Sequence, residues 1–149
     1  MKKVKGDLIA LALDGQFDVI IHGCNCQNSM GAGIAKAIKK EFPEAFAVDQ
    51  ETTKGDRQKL GTITTAEVER NGQPLVIVNA YTQFHYRGRG VKVDYDAMSS
   101  AFRQVHEEYS GMRIGYPLIG AGLAGGDWDV ISEIIDEELS GEDHTLVEF

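Results

Sequence analysis

No segment of this chain approaches the roughly 18 consecutive apolar residues that a membrane-crossing helix needs, so a helical span is excluded. Cysteine is scarce. Cys24 and Cys26 are the only two, and a separation of one residue suits neither a structural disulfide nor a complete zinc set; they read as small buried residues at a strand end. Proline occurs three times, and there is no repeat, low-complexity tract or linker, so 149 residues imply one domain over 1–149. Positive charge is in deficit, 15 Lys and Arg against 23 Asp and Glu, and the net charge of −8 argues against general affinity for nucleic-acid backbones. Any anion bound here must be held by local geometry. The N-terminal MKKVKGDLIALAL places basic residues before an apolar stretch, but Asp7 interrupts it and no small-residue cleavage site follows. It reads as the first strand of a cytoplasmic protein, and a short acidic domain of this kind is expected to be a monomer. The most local absence is of charge: His22–Gly33, HGCNCQNSMGAG, holds no Lys, Arg, Asp or Glu in a chain that is 26% charged.

What is present reads as alternating strands and helices. Short apolar or alternating runs mark strands at KVKGDL, FDVIIHG, KLGTITTAEV, LVIVNAY, RIGYPLI and HTLVEF. Helical stripes run through Ile34, Ile38 and Phe42, through Tyr95 to Tyr109, and through Val130 to Leu139. Pro43 makes a corner before a further helix in EAFAVDQETTK. Asn71-Gly72 between strand-like runs predicts a hairpin pairing Ile63–Val68 with Leu75–Val78 antiparallel. Helix-separated strands pair in parallel, so the sheet is mixed, of roughly six strands, with helices on both faces. Leu146, Val147 and Phe149 are expected to insert into that sheet.

Two glycine loops each end a strand and open a helix. In the first, Asn25, Gln27, Asn28 and Ser29 precede Gly31-Ala32-Gly33; in the second, Gly120, Gly122 and Gly125 match G-x-G-x-x-G in IGAGLAGGDW. Helix starts carry free backbone N–H groups and partial positive charge, and glycine lets a ligand approach them, so a site for anions can be built without cationic side chains. Taken singly, either loop could also be an ordinary turn. Together they suggest two walls around one elongated phosphate ligand at the carboxyl ends of the strands. The second motif lies too near the end of the chain for a dinucleotide-binding βαβ unit.

On VKGDL, IIHGCNCQNSMGAGIA and IGAGLAGGDW the chain resembles the macrodomain family, modules that bind ADP-ribose, from Val4 to the terminal strand. HGCNCQNSMGAGIA is most similar to the small branch that includes ADP-ribose 1″-phosphate phosphatases. The resemblance implies a three-layer α/β/α macrodomain with no cofactor. It implies that Asp7, with Leu8 beside it, receives the adenine amino group; an exposed turn aspartate is the plainer alternative. It maps the distal ribose and a phosphate onto Asn25, Gly31, Ala32, Gly33 and Ile34, and the diphosphate onto Gly120, Ala121, Gly122, Leu123 and Ala124. His22 matches a histidine suspected of catalysis in that branch, and imidazole can donate or take a proton near pH 7; a strand-end histidine satisfied by backbone is the alternative. Asp127 reads either as a base or as the N-cap of the last helix. Asn79 and Tyr81, placed at a strand end, are candidates for holding water or stacking on sugar.

Relatives that strip ADP-ribose from glutamate use a lysine after the fourth main strand and an aspartate in the second loop. Here VNAYTQFHY has no lysine and GLAGG has alanine there, which disfavours that mechanism. Tyr81, Phe84, His85 and Tyr86 interleave with Arg87 and Arg89, a pattern that reads as a glycine-hinged flap, a surface loop or a nucleic-acid stacking patch. The expected function is hydrolysis of ADP-ribose 1″-phosphate. A non-catalytic ADP-ribose reader and a hydrolase acting on ADP-ribosylated protein or nucleic acid are the alternatives. His22, Cys24 and Cys26 are too closely strung for a usual metal site, and none is expected.

Overall fold

The computed structural model describes residues 1–88 and 90–149; Arg89, expected in the aromatic segment, lies outside the described residues. The six strands are β1 (Lys2–Lys5), β2 (Val19–Asn25), β3 (Ile63–Arg70), β4 (Gln73–Gln83), β5 (Ile114–Tyr116) and β6 (His144–Glu148). The helices are α1 (Leu8–Leu13), α2 (Gly33–Glu41), α3 (Pro43–Gln50), α4 (Tyr95–Tyr109) and α5 (Trp128–Glu138). The strands form one sheet in the order β1-β6-β5-β2-β4-β3. Every pairing is parallel except β3 with β4.

The connections explain this. The β3–β4 hairpin turns on Asn71 (φ 53°) and Gly72 (φ 74°), both left-handed as a type I′ turn requires, and its register runs from Arg70↔Gln73 to Ile63↔Ala80. The parallel pairs are joined by helical crossovers. Alternation along β2 then sorts its side chains: Val19 and Ile21 face one way into a core with α4 and α5, and Ile20 faces the other into a core with α1, α2 and α3. Both faces are covered, so β2 is buried almost throughout. β6 lies between β1 and β5, so the terminal strand inserts into the sheet. No helix among the described residues is long and apolar enough to cross a membrane.

Four expectations are corrected. LIALAL is helix α1, whose first-turn amide at Ala10 donates to the Asp7 carboxylate (2.9 Å), so the first strand stops at Lys5. The strand read from Lys59 starts at Ile63, because Arg57–Lys59 form a 3-10 turn and Gly61 takes φ 84°. β5 spans only Ile114–Tyr116, since Pro117 has no N–H to continue the ladder. The helix read from EAFAVDQETTK is Pro43–Gln50, with Pro43 in its first turn.

Candidate functional site

A cleft of about 760 Å³ opens across the carboxyl ends of β6, β5, β2 and β4. Val147 and Phe149 line one end, Pro117, Leu118 and Ile119 follow beyond β5, then Gly23, Cys24 and Asn25 from β2, and Gln83 from β4. Adjacent strands lie about 4.8 Å apart, so the floor from β6 to β4 spans roughly 14 Å. One end is apolar and the other amide-rich.

The first loop rises from Asn25. Its Oδ1 accepts from the Gln27 amide (2.9 Å) and its Nδ2 donates to the Ser29 carbonyl (2.9 Å), which closes the turn on itself. Asn28 takes φ 56°, and its side chain and carbonyl are engaged: Lys59 Nζ donates to its Oδ1 (2.6 Å), its Nδ2 donates to the Thr52 carbonyl (3.0 Å), and Gln50 Nε2 donates to its carbonyl (2.9 Å). Lys59 is buried, its ammonium also 4.9 Å from the centre of the Tyr81 ring. The segment after α3 thereby clamps the loop that leads into α2. Ala32 caps that helix without a side-chain hydrogen bond, leaving the first-turn amides of Gly33, Ile34 and Ala35 without intrahelical acceptors.

The second loop folds back through Gly126 N–H to the Gly120 carbonyl (2.7 Å), and the Lys92 amide donates to the Ala124 carbonyl (2.7 Å). Gly120 needs its glycine twice over: φ is 75°, and a Cβ would stand 2.8 Å from Val93 Cγ2. The N–H groups of Gly122, Leu123 and Ala124 have no acceptor among the described residues. The loops meet over the cleft, since a Cβ at Gly33 would lie 3.5 Å from Leu123 Cδ1. The two helix starts are not equivalent. Asp127 caps α5 by accepting from the Asp129 amide (2.9 Å), so only the α2 start is open to an outside anion.

Of the candidate site residues, Asn25, Gly31, Ala32, Gly33, Ile34, Gly120, Gly122, Leu123 and Ala124 line this one cleft. Seven other candidates are not in the lining. Ala121 packs against the α4–α5 core, and Leu8 is buried beneath α1. Asp7 is exposed as the cap of α1, beside the cleft's apolar end because the Gly6 amide donates to the Glu148 carbonyl (2.8 Å). Asp127 is exposed in its capping role. His22, Asn79 and Tyr81 are fully buried, because β2 runs on to Asn25 and β4 to Gln83 and these residues therefore sit inside strands.

They form a hydrogen-bonded chain under α3. His22 Nε2–H donates to Asn79 Oδ1 (2.6 Å), and Asn79 Nδ2 donates to the Ala45 carbonyl (2.9 Å) and to Thr64 Oγ1 (3.1 Å). Tyr81 OH donates to Asp49 Oδ1 (2.7 Å). Burial pulls the His22 imidazole down from 6.5 to about 4, only partly opposed by its bond to Asn79, so it is neutral at pH 7. The structure thus places His22 beneath α3 and outside the cleft lining, not at the strand end where the catalytic expectation had it.

Residues that the sequence reading did not assign to the site are Gly23, Cys24, Ser29, Ala35, Gln83, Lys92, Pro117, Leu118, Ile119, Val147 and Phe149, and Tyr86, from the segment read as a flap or a surface loop, lines it too. Cys24 lines the cleft, but burial pushes its thiol well up, so it is no nucleophile at neutral pH. Strand parity could have found Gln83, which pairs with Asn25 across the β2–β4 ladder. Among the described lining residues no carboxylate or imidazole side chain occurs, and Lys92 is the one charged side chain. No cluster of potential metal ligands occurs among the described residues.

Two loops with unpartnered amides close over the strand ends of a three-layer α/β/α sandwich, donors of the kind that suit phosphate oxygens. The Macro domain family profile matches residues 21–135, and the chain belongs to that family. An "Uncharacterized 17.5 kDa protein in tk-vs intergenic region" of Enterobacteria phage T4 is 33% identical over 154 residues, covering 100% of this chain and 96% of that protein. An "ADP-ribose 1''-phosphate phosphatase" of Candida albicans is 23% identical over 145 residues, with 90% of each covered. A "DNA ADP-ribosyl glycohydrolase" of Mycobacterium tuberculosis is 26% identical over 128 residues, 86% of this chain but 35% of that protein. Among solved structures, a Bacteroides thetaiotaomicron protein superposes with TM-score 0.85 at 26% identity, covering 100% and 99% of the two chains. DarTG of Thermosipho africanus in complex with ADP-ribose superposes with TM-score 0.76 at 18% identity, covering 100% of this chain and 42% of that one. The chain is thus a macrodomain related, at low identity, to proteins named for processing ADP-ribose.

Proposed function

We propose that the cleft binds ADP-ribose and its derivatives and that the chain hydrolyses ADP-ribose 1″-phosphate to ADP-ribose and phosphate. The observation that carries this reading is the meeting of two sets of unpartnered amides, at the start of α2 and at Gly122 to Ala124, midway along the cleft. A diphosphate is the group such opposed donors suit, since it needs many N–H donors at once and little charge. The adenine then lies toward Val147 and Phe149, with Asp7 beside it to accept from the exocyclic amine. The distal ribose lies over Asn25 and Gln83.

In the reaction a water attacks phosphorus, the bond from phosphorus to the 1″ oxygen breaks, and the departing oxygen gains a proton. With no imidazole or carboxylate side chain in the described lining, positioning and neutralisation of charge on the phosphoryl oxygens supply the acceleration. Neither metal nor cofactor is invoked, and the chain works as a cytoplasmic monomer in this reading. The name of the Candida albicans relative supports the choice of substrate.

A second reading, release of ADP-ribose from nucleic acid, is favoured by one observation. A groove of about 490 Å³, lined by Arg57, Phe84 and Tyr95 among others, shares Lys92 with the cleft and gives a larger substituent room. The name of the Mycobacterium tuberculosis relative points the same way. The test incubates the protein, and its Asn25→Ala variant, with ADP-ribose 1″-phosphate and with ADP-ribosylated single-stranded DNA. Phosphate release by wild type that drops in the variant supports the first reading. Release of ADP-ribose from DNA alone replaces it with the second, and tight binding without turnover of either leaves a reader.

A further inference from the structure

Lys92 is the only charged side chain among the described residues lining the cleft, in a chain whose net charge is −8. Its position follows from the sheet. Asn25 pairs with Gln83, Gln83 bridges Val93, and Lys92 precedes Val93, so Lys92 stands at the β4 end, opposite Val147 and Phe149. The bond from its amide to the Ala124 carbonyl (2.7 Å) fixes its backbone to the second loop, and its side chain is half-buried. Three arginines elsewhere are matched with carboxylates, Arg70 with Glu44, Arg103 with Glu138 and Arg113 with Asp18, while Arg57 and Arg87 lie over the rings of Phe84 and Tyr86. Lys92 has no such partner among the described residues. It also lines the adjoining groove, so it occupies the threshold through which a substituent on the ligand's far end would leave the cleft.

We propose that Lys92 is the specificity-determining residue of this site: its ammonium receives an anionic phosphate on the distal ribose and so favours ADP-ribose 1″-phosphate over ADP-ribose. The inference rests on the placement of ADP-ribose proposed above. The central diphosphate is common to both ligands and is held by neutral amides, which cannot discriminate between them. A lone ammonium at the far end acts only on the ligand that carries charge there.

The test is calorimetry with ADP-ribose and with its 1″-methylenephosphonate, whose carbon bridge blocks hydrolysis. Wild type should favour the phosphonate by roughly ten-fold, equivalent to about 1.4 kcal/mol. Lys92→Met should abolish that preference while holding ADP-ribose affinity within about two-fold, and Lys92→Arg should retain it. Lys40→Met, the same loss of charge at the far end of α2, should leave the ratio unchanged. A preference that survives in Lys92→Met, or that falls equally in Lys40→Met, overturns the assignment while leaving the cleft reading intact. Binding of neither ligand by wild type overturns both.

Discussion

Lowering the pH from 7 to 5 should destabilise this protein chiefly through the buried imidazole of His22. The His22 ring is fully buried, and its proton affinity falls from 6.5 to about 4 in the folded state. The folded pKa lies below the unfolded one, so between these values the unfolded chain takes up a proton that the folded chain refuses. Stability is therefore complete above about pH 6.5 and is lost as pH falls toward 4. At 1.36 kcal/mol per unit the full linkage is on the order of 3 kcal/mol, of which about 2 kcal/mol is lost between pH 7 and pH 5. The carboxylates with lowered affinity, Asp18, Glu44 and Glu142, start from 3.8 to 4.5 and lose their contribution below this window. His144, also lowered chiefly by burial, acts within it and in the same direction. The assay therefore compares urea unfolding of wild type and His22→Gln at both pH values. The glutamine amide can still donate toward Asn79 but cannot titrate, so the variant should lose about 2 kcal/mol less than wild type on acidification. Equal losses in the two proteins would refute the linkage argument for His22.

Three further perturbations separate structure from binding. Gly120→Ala forces alanine to φ 75° with its Cβ 2.8 Å from Val93 Cγ2 and should cost about 2 kcal/mol or more, read by urea unfolding. Lys59→Met removes the donor that grips Asn28 but keeps an apolar stem. Stability should change by about 1 kcal/mol or less, while amide exchange over 25–30 quickens and ADP-ribose affinity falls roughly ten-fold. Asp7→Ser keeps a capping side chain on α1, so the melting temperature should hold. ADP-ribose binding should weaken and ribose 5-phosphate binding should not, and an unchanged ADP-ribose affinity would remove Asp7 from the adenine site.

The hairpin was legible because Asn71-Gly72 is a local conformational signal, and α2, α4 and α5 because their apolar stripes repeat at helical spacing. The glycine loops were legible for the same reason: their chemistry resides in the backbone, which sequence reports through Gly31, Gly33, Gly120 and Gly122. LIALAL misleads because a short apolar run has no clear period, and Asp7 in KGDL caps a helix where the pattern suggests a strand. His22, Asn79 and Tyr81 misled for a different reason. Sequence placed the ends of β2 and β4 too early, and a few residues of strand convert a residue at the mouth of a cleft into one beneath a helix. Lys92 lies beyond the recognisable motifs, and only the return of its segment onto Ala124 brings it to the cleft.

The pairing of β1 with β6 bears on how the protein assembles. Lys2 and Asp143, 141 positions apart, are joined by an ion pair, and β1 has no other strand beside it. Almost the whole chain must be gathered before that contact can form, which places it late in folding and early in unfolding. Because Val147 and Phe149 wall one end of the cleft, a seated nucleotide would act as a latch on this seam, lengthening the lifetime of the native state by retarding its first rupture.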